Sequence, residues 1–298
     1  MSYRTIVITQ RCKLDFCMNY VEVQTAVSKK RIFIDEIKTL IIENTGVAIT
    51  AYLLSELMNR KVNLIFCDKA HNPQSSLLPL HARFDSIRKI KQQMIWSQEI
   101  KDEVWDCIVK AKIRQQALFL DELEKKEQSK MLMSYLDDVV SADAHNREGH
   151  AAKVYFNALF GNSFTRDLDS PINAGLNYGY SLLLSLFNRE IVSAGYLTQL
   201  GIFHENTYNP YNFSCDLMEP FRILVDRYVY NMNPTTFAKD EKREIINLFQ
   251  EILYIDDSRQ FLANAINIYA NSIFQALEKC DTSKTVSYTH LRAHETRR

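Results

Sequence analysis

A chain of 298 residues is long enough for two modest domains, or one large one, with a substantial core. Apolar residues make up 46% of it and charged residues 24%, which excludes a disordered chain. The 36 basic side chains are balanced by 36 acidic ones, so no net positive field marks it for nucleic acid, and local patches must carry any such binding.

With only 7 Gly and 6 Pro, turns are few and the chain is expected to be mostly helical. Six scattered cysteines without CxxC spacing (12, 17, 67, 107, 215 and 280) read as reduced thiols, not as a disulfide framework or a structural zinc site. The N-terminus lacks the apolar stretch of a signal peptide, and the most apolar run, Leu182 to Phe187, is too short to span a bilayer. The cytoplasm is the expected compartment.

The first 70 residues carry short β-rich runs. Thr5 to Thr9, Leu14 to Phe16, Val21 to Thr25 and Arg31 to Ile34 follow one another closely, with Asn19 as a turn residue. Ile37 to Ile42 and Val62 to Phe66 are further strands, and Ala48 to Arg60 has helical spacing. This predicts a small β domain with one helix over 1–70. The polar, Pro-containing stretch His71 to Ser76 marks a linker over 71–80. Helical periodicity then dominates 81–284: Ile87 to Trp96, Val104 to Leu123, Met131 to Ser141, His150 to Phe160, and further helices over 173–199, 217–231, 240–254 and 258–279. The expected fold is α+β, a small N-terminal β-sheet domain followed by a larger all-helical domain. The final stretch, 285–298, resembles translated sequencing-adaptor read-through. His290 and His294 lie at i,i+4 but are set aside with it.

Several residues could carry chemistry. Glu148 opens a helix whose next turns are small and then aromatic; alternatively it only complements a helix dipole. His204 follows an apolar stretch ending in Ile202 and Phe203, where a hydrogen-bonded, partly buried imidazole is the commoner outcome. In Ser214-Cys215-Asp216-Leu217-Met218-Glu219-Pro220, a helix from Ser214 would put Asp216 and Glu219 on one face, with Pro220 awkward inside it. A helix from Pro220 would make Glu219 the boundary residue. Both readings are open at the sequence level. Asn173, Asn177 and Tyr180 are spaced along one helical face, as a polar network or a phosphate contact. Arg83, Arg88, Lys89 and Lys91 form one basic cluster, and Lys110, Lys112 and Arg114 another; solvated surface charge is the alternative for both.

In combination, the run from Glu148 to Phe156, then Asp169 to Tyr180, then His204, then Asp216 to Arg222 resembles the CRISPR-associated spacer integrase family, the universal CRISPR adaptation protein. Val62 to Asn72 and Leu80 to Arg83 look like the branch found with type II, single-protein effector systems. The resemblance covers about 1–284. It implies a carboxylate–histidine–carboxylate metal site at Glu148, His204 and Glu219, with Asp216 as a nearby acid. It also implies Mg²⁺ or Mn²⁺ as cofactor, and a metal-dependent endonuclease and integrase in which a DNA 3′-hydroxyl attacks a phosphodiester. Implied partners are DNA, a second copy of the chain joined partly through the β domain, and a small companion protein bridging two dimers. DNA contacts are expected from Arg83, Arg88, Lys89, Lys91, Asn173, Asn177 and Tyr180. A stand-alone metal-dependent DNase and a non-catalytic DNA-binding assembly subunit are the alternatives.

Overall fold

The computed structural model describes residues 4–79 and 83–290. The chain divides after residue 82 into two compact units. In the first, β1 (Arg4–Ile8), β2 (Lys13–Cys17), β3 (Tyr20–Gln24), β4 (Lys29–Phe33), β5 (Ile37–Ile42) and β6 (Ala48–Ile49) precede α1 (Ala51–Asn59), β7 (Asn63–Cys67) and β8 (Pro73–Leu77). They form two four-stranded sheets, ordered β1-β5-β7-β8 and β4-β3-β2-β6. Met18 and Asn19, both at positive φ, close the β2–β3 hairpin, the backbone a two-residue turn between right-twisted strands requires. β5 reads Ile-Lys-Thr-Leu-Ile-Ile because it is central, paired in parallel on both sides by β1 and β7. Leu14, Val21, Leu40, Leu53, Leu57 and Leu64 fill the core between sheets and helix.

The stretch expected as a linker differs. Residues 73–77 form β8, antiparallel to β7, with Pro73 at its start. A polar Pro-Gln-Ser-Ser text suits an edge strand, where main-chain pairing supplies the order and proline needs no ladder donor. Leu80 to Ala82, part of the family-like text, lie outside the described residues.

The second unit is mainly helical: α2 (Ser86–Met94), α3 (Gln98–Glu122), α4 (Lys126–Asp138), α5 (Arg147–Phe160), α6 (Pro171–Ser193), α7 (Asn212–Met218), α8 (Arg222–Met232) and α9 (Lys239–Ile246). It continues with β9 (Ile252–Ile255), β10 (Ser258–Phe261), α10 (Leu262–Lys279) and β11 (Thr289–His290). Ser97 and Ser170 cap α3 and α6 with their hydroxyls, and Pro171 opens α6 at the position where its missing N–H costs nothing.

One expectation changes here. Residues 240–254 and 258–279 were expected to be helical throughout, yet 252–261 is a hairpin. Asp256 and Asp257 both take positive φ and make its turn, while Leu253 and Ile255 are buried and Ile252 and Tyr254 exposed, a period of two. Within the stretch set aside as adaptor-like, β11 pairs with β9, and Tyr288 is 1% exposed against Phe221, its hydroxyl donating to the Pro220 carbonyl at 2.8 Å. His294 lies outside the described residues. No helix among the described residues is long and apolar enough to cross a membrane.

Candidate functional site

Pro220 decides the local structure around Glu219. A proline cannot donate the helical hydrogen bond, so α7 stops at Met218, Glu219–Phe221 make one 3₁₀ turn, and α8 begins at Arg222. Glu219 is therefore the boundary residue and Asp216 sits inside α7. Both are buried.

Asp216 is fully buried, and its carboxylate gathers the loop carrying His204. Its Oδ2 accepts from the Ile202 amide at 2.7 Å and the Phe203 amide at 3.1 Å. Its Oδ1 accepts from the His204 amide at 3.1 Å and pairs with His204 Nδ1 at 2.5 Å. Gly201 makes this approach possible, because a Cβ there would stand 2.4 Å from the His204 carbonyl oxygen and 2.7 Å from Asp216 Oδ2. Phe203 stacks on Trp105 of α3 at 4.3 Å between ring centroids, and the His204 ring stands edge-on to both. With Nδ1 committed to Asp216, His204 presents Nε2 from a side chain 43% exposed.

Glu148 lies in the first turn of α5. The end of that helix is already capped: Asp143 accepts from the Arg147 and Glu148 amides, each at 2.8 Å, and Asn146 from Gly149. The Glu148 carboxylate is thus spared from capping, and it turns to the ammonium of Lys112. The same ammonium donates to Glu219 Oε2 at 2.5 Å, while Arg222 Nε donates to Glu219 Oε1 at 2.9 Å. Lys112 joins the two expected carboxylates, although α3, α5 and the 3₁₀ turn are far apart in sequence.

Electrostatics tie the groups together. Burial pushes the Glu219 carboxyl up, but Arg222, Lys112 and His204 outweigh it and hold it at about 2. The hydrogen bond that the His204 ring donates to Asp216 raises His204 above its ordinary value against partial burial, helped by Asp216, Glu219 and Glu148 as charges. Burial alone would lower Lys112, yet Glu219 and Glu148 raise it. Behind Arg222, the guanidinium lies 4.7 Å from the centroid of the Tyr180 ring, and the Tyr180 hydroxyl donates to buried Asp226 at 2.5 Å.

The donor chemistry fits a hard divalent cation: two carboxylates and one imidazole nitrogen, with the imidazole oriented through its other nitrogen by a buried carboxylate. Among the described residues, no group of three or more His, Cys, Asp or Glu side chains stands close enough to hold an ion as placed. The ammonium of Lys112 lies between the two carboxylates.

Lys112, Arg222 and Asp143 were not singled out from sequence for these roles. Lys112 read as surface charge beside Lys110 and Arg114, yet it is buried. The available signal was its place in the stripe Trp105, Ile108, Lys112, Gln116, Phe119, which follows three-and-four spacing along α3. The expected DNA contacts divide. Arg83 and Arg88 both pair with Asp85, and Arg88 stays exposed. Lys91 is exposed. Lys89 is buried and pairs with Glu278, which places its ammonium in the protein and not at its surface. Asn173 and Asn177 each accept from Arg166 at 2.6 Å, and Tyr180 is buried, so that face is an internal polar network with Asn177 exposed.

Comparison with known proteins gives a consistent result. The sequence model of a family described as CRISPR associated protein Cas1 matches residues 5–245. The CRISPR-associated endonuclease Cas1 of Neisseria meningitidis serogroup C (strain 8013) is 34% identical over 232 residues, covering 78% of this chain and 76% of that protein. Among solved structures, a casposase bound to integration product superposes with a TM-score of 0.75 at 18% identity, over 100% of this chain and 98% of that one. A chain of a Cas6-RT-Cas1–Cas2 complex superposes with a TM-score of 0.71 at 17% identity. It covers 97% of this chain, which spans only 36% of that one. These two likenesses bear on the fold.

Proposed function

The chain belongs to the Cas1 family of CRISPR-associated proteins, and on that premise we propose that Glu148, His204 and Glu219 hold Mg²⁺ or Mn²⁺ for the cutting and joining of DNA in a CRISPR array. One observation carries this reading. Carboxylates from two distant segments share one buried cation, Lys112, while Asp216 orients an imidazole whose charge state responds to both. A bound divalent cation supplies positive charge to phosphodiester oxygens during transfer.

The chain's own residues do the rest. Glu148 and Glu219 offer oxygen ligands and His204 its Nε2. Asp216 fixes the imidazole and the loop bearing it. Arg222 fixes Glu219 and adds positive charge on the same side. A DNA 3′-hydroxyl forms the new P–O bond, the P–O3′ bond of the target strand breaks, and the proton leaves with the displaced 3′-oxygen. Water in place of the 3′-hydroxyl gives hydrolysis, the activity in the endonuclease name of the Neisseria relative. A protein nucleophile is not required.

Arg83, Arg88 and Lys91 are proposed DNA-backbone contacts. The second copy of the chain is proposed to join through the β unit. A Cas2-like companion is proposed as the bridging partner, by analogy with the complex containing the structural neighbour. The place of action is the cytoplasm, where the array lies. The test is strand transfer of a 3′-hydroxyl fragment into a repeat-bearing plasmid, with the companion and Mn²⁺. Glu148→Ala, His204→Ala and Glu219→Ala should each abolish joined product. Wild-type levels from all three would refute the assignment.

A further inference from the structure

Resting on that metal-site reading, we propose that Lys112 is an internal counter-ion that a divalent cation displaces, so that metal binding at Glu148 and Glu219 is coupled to withdrawal of the Lys112 ammonium. Charge balance is the first argument. Glu148 and Glu219 carry two negative charges, and Lys112 and Arg222 carry two positive ones in direct contact with them. A divalent ion entering this set unchanged would add two positive charges to a pair of carboxylates already neutralised.

Oxygen use is the second argument. Lys112 takes Oε1 of Glu148 and Oε2 of Glu219, one oxygen from each carboxylate that would have to face a shared ion. Arg222 takes the other Glu219 oxygen and is braced against the Tyr180 ring, so it keeps Glu219 oriented while the site changes. Among the described residues no aromatic ring braces Lys112, and its four-carbon stem gives the ammonium freedom to move that a stacked guanidinium lacks. Of the two cations, Lys112 is the one that can leave.

The arrangement also offsets the repulsion between two carboxylates that approach one another in a partly buried site. Buried like charges left together repel, and removing one partner of a buried ion pair is strongly destabilising. Lys112 lets the site form before the ion arrives, and it weakens the ion's grip by competing for the same oxygens. Lys112 is therefore a positioning residue, acting on the chemistry through Glu148 and Glu219.

The test uses the full chain. Mn²⁺ binding is titrated by electron paramagnetic resonance and calorimetry for wild type, Lys112→Met and Lys112→Arg. Thermal unfolding is followed with and without Mn²⁺. Loss of the competing ammonium should tighten Mn²⁺ binding by at least about tenfold in Lys112→Met. That variant should unfold earlier than wild type without ion and gain more from it, while Lys112→Arg stays near wild type. In parallel, wild-type amines are acylated with an N-hydroxysuccinimide ester and the Lys112 peptide is quantified by mass spectrometry. Mn²⁺ should raise labelling of Lys112 severalfold. The labelling experiment decides alone if Lys112→Met does not fold. Mn²⁺ binding to wild type with no gain in Lys112 labelling overturns the displacement and leaves the metal site standing. So does equal affinity in Lys112→Met. Absence of Mn²⁺ binding to wild type refutes the metal site and the displacement together.

Discussion

Substituting Asp216 by asparagine tests how the imidazole is positioned. The carboxylate accepts four hydrogen bonds, two on each oxygen, from the Ile202, Phe203 and His204 amides and from His204 Nδ1. Asparagine keeps one acceptor oxygen and replaces the other with an NH₂ group that faces two donors. Whichever way the amide is turned, two charge-assisted bonds are lost in a fully buried position. At about 1.5–3 kcal/mol each, the loss is roughly 3–6 kcal/mol, concentrated in the 201–204 loop. The assay is amide hydrogen exchange of Ile202, Phe203 and His204, with a nuclear magnetic resonance titration of the His204 ring. In Asp216→Asn the three amides should lose protection, and the imidazole should titrate lower, towards the ordinary 6.5, since its largest raising cause is gone. Strand transfer should fall with it, although Glu148 and Glu219 are untouched. Unchanged protection together with an unchanged His204 titration would refute the argument that Asp216 builds this loop.

Three other outcomes follow from the same contacts. Gly201→Ala introduces a Cβ 2.4 Å from the His204 carbonyl oxygen, so it should cost roughly 1–3 kcal/mol by calorimetry and reduce activity through His204. Burial pushes the Asp226 carboxyl from 3.8 to about 6, against the Tyr180 and Tyr155 hydroxyls and the Arg222 and Lys112 charges that pull it down. A raised acid contributes stability that is full below 3.8 and is lost as pH rises through about 6. Asp226→Asn, which still accepts from Tyr180, should therefore be more stable than wild type at pH 8, by on the order of 3 kcal/mol, with the difference shrinking as pH falls below 6. Denaturant unfolding at several pH values checks it, and a constant difference would contradict it. Tyr288→Ala empties a fully buried ring site beside Phe221 and Pro220, and unfolding midpoints should show a loss of roughly 3–5 kcal/mol.

The readable parts of the sequence were those with local periodicity. The β-rich start, the Asn19 turn and the helices from α2 to α6 follow from alternation and three-and-four spacing, which backbone geometry dictates directly. Features set by partners distant in sequence were not readable. The strand at 73–77 has no apolar alternation, and pairing with β7 supplies its order. The hairpin at 252–261 is a local exception that lies between segments of helical spacing and turns on two aspartates at positive φ. Tyr288 lies in the stretch set aside as adaptor-like, and its burial rests on Phe221 and Pro220. At the site, Glu148, His204, Asp216 and Glu219 were named from their family-like order. Whether Glu219 closes a helix or sits within one turned on Pro220, and its 3₁₀ turn gives the answer. Lys112 was hidden because a lysine between Lys110 and Arg114 reads as surface, and only the stripe through Trp105, Ile108 and Phe119 places it inside.

Glu148, His204 and Glu219 are proposed to converge on one divalent ion. Crystals of the full chain soaked in Mn²⁺ and measured for anomalous scattering address it directly. An anomalous peak is expected, bonded to carboxylate oxygens of Glu148 and Glu219 and to Nε2 of His204, with Nδ1 still held by Asp216. A saturated crystal with its Mn²⁺ bound elsewhere, and Lys112 still joining Glu148 to Glu219, would contradict it.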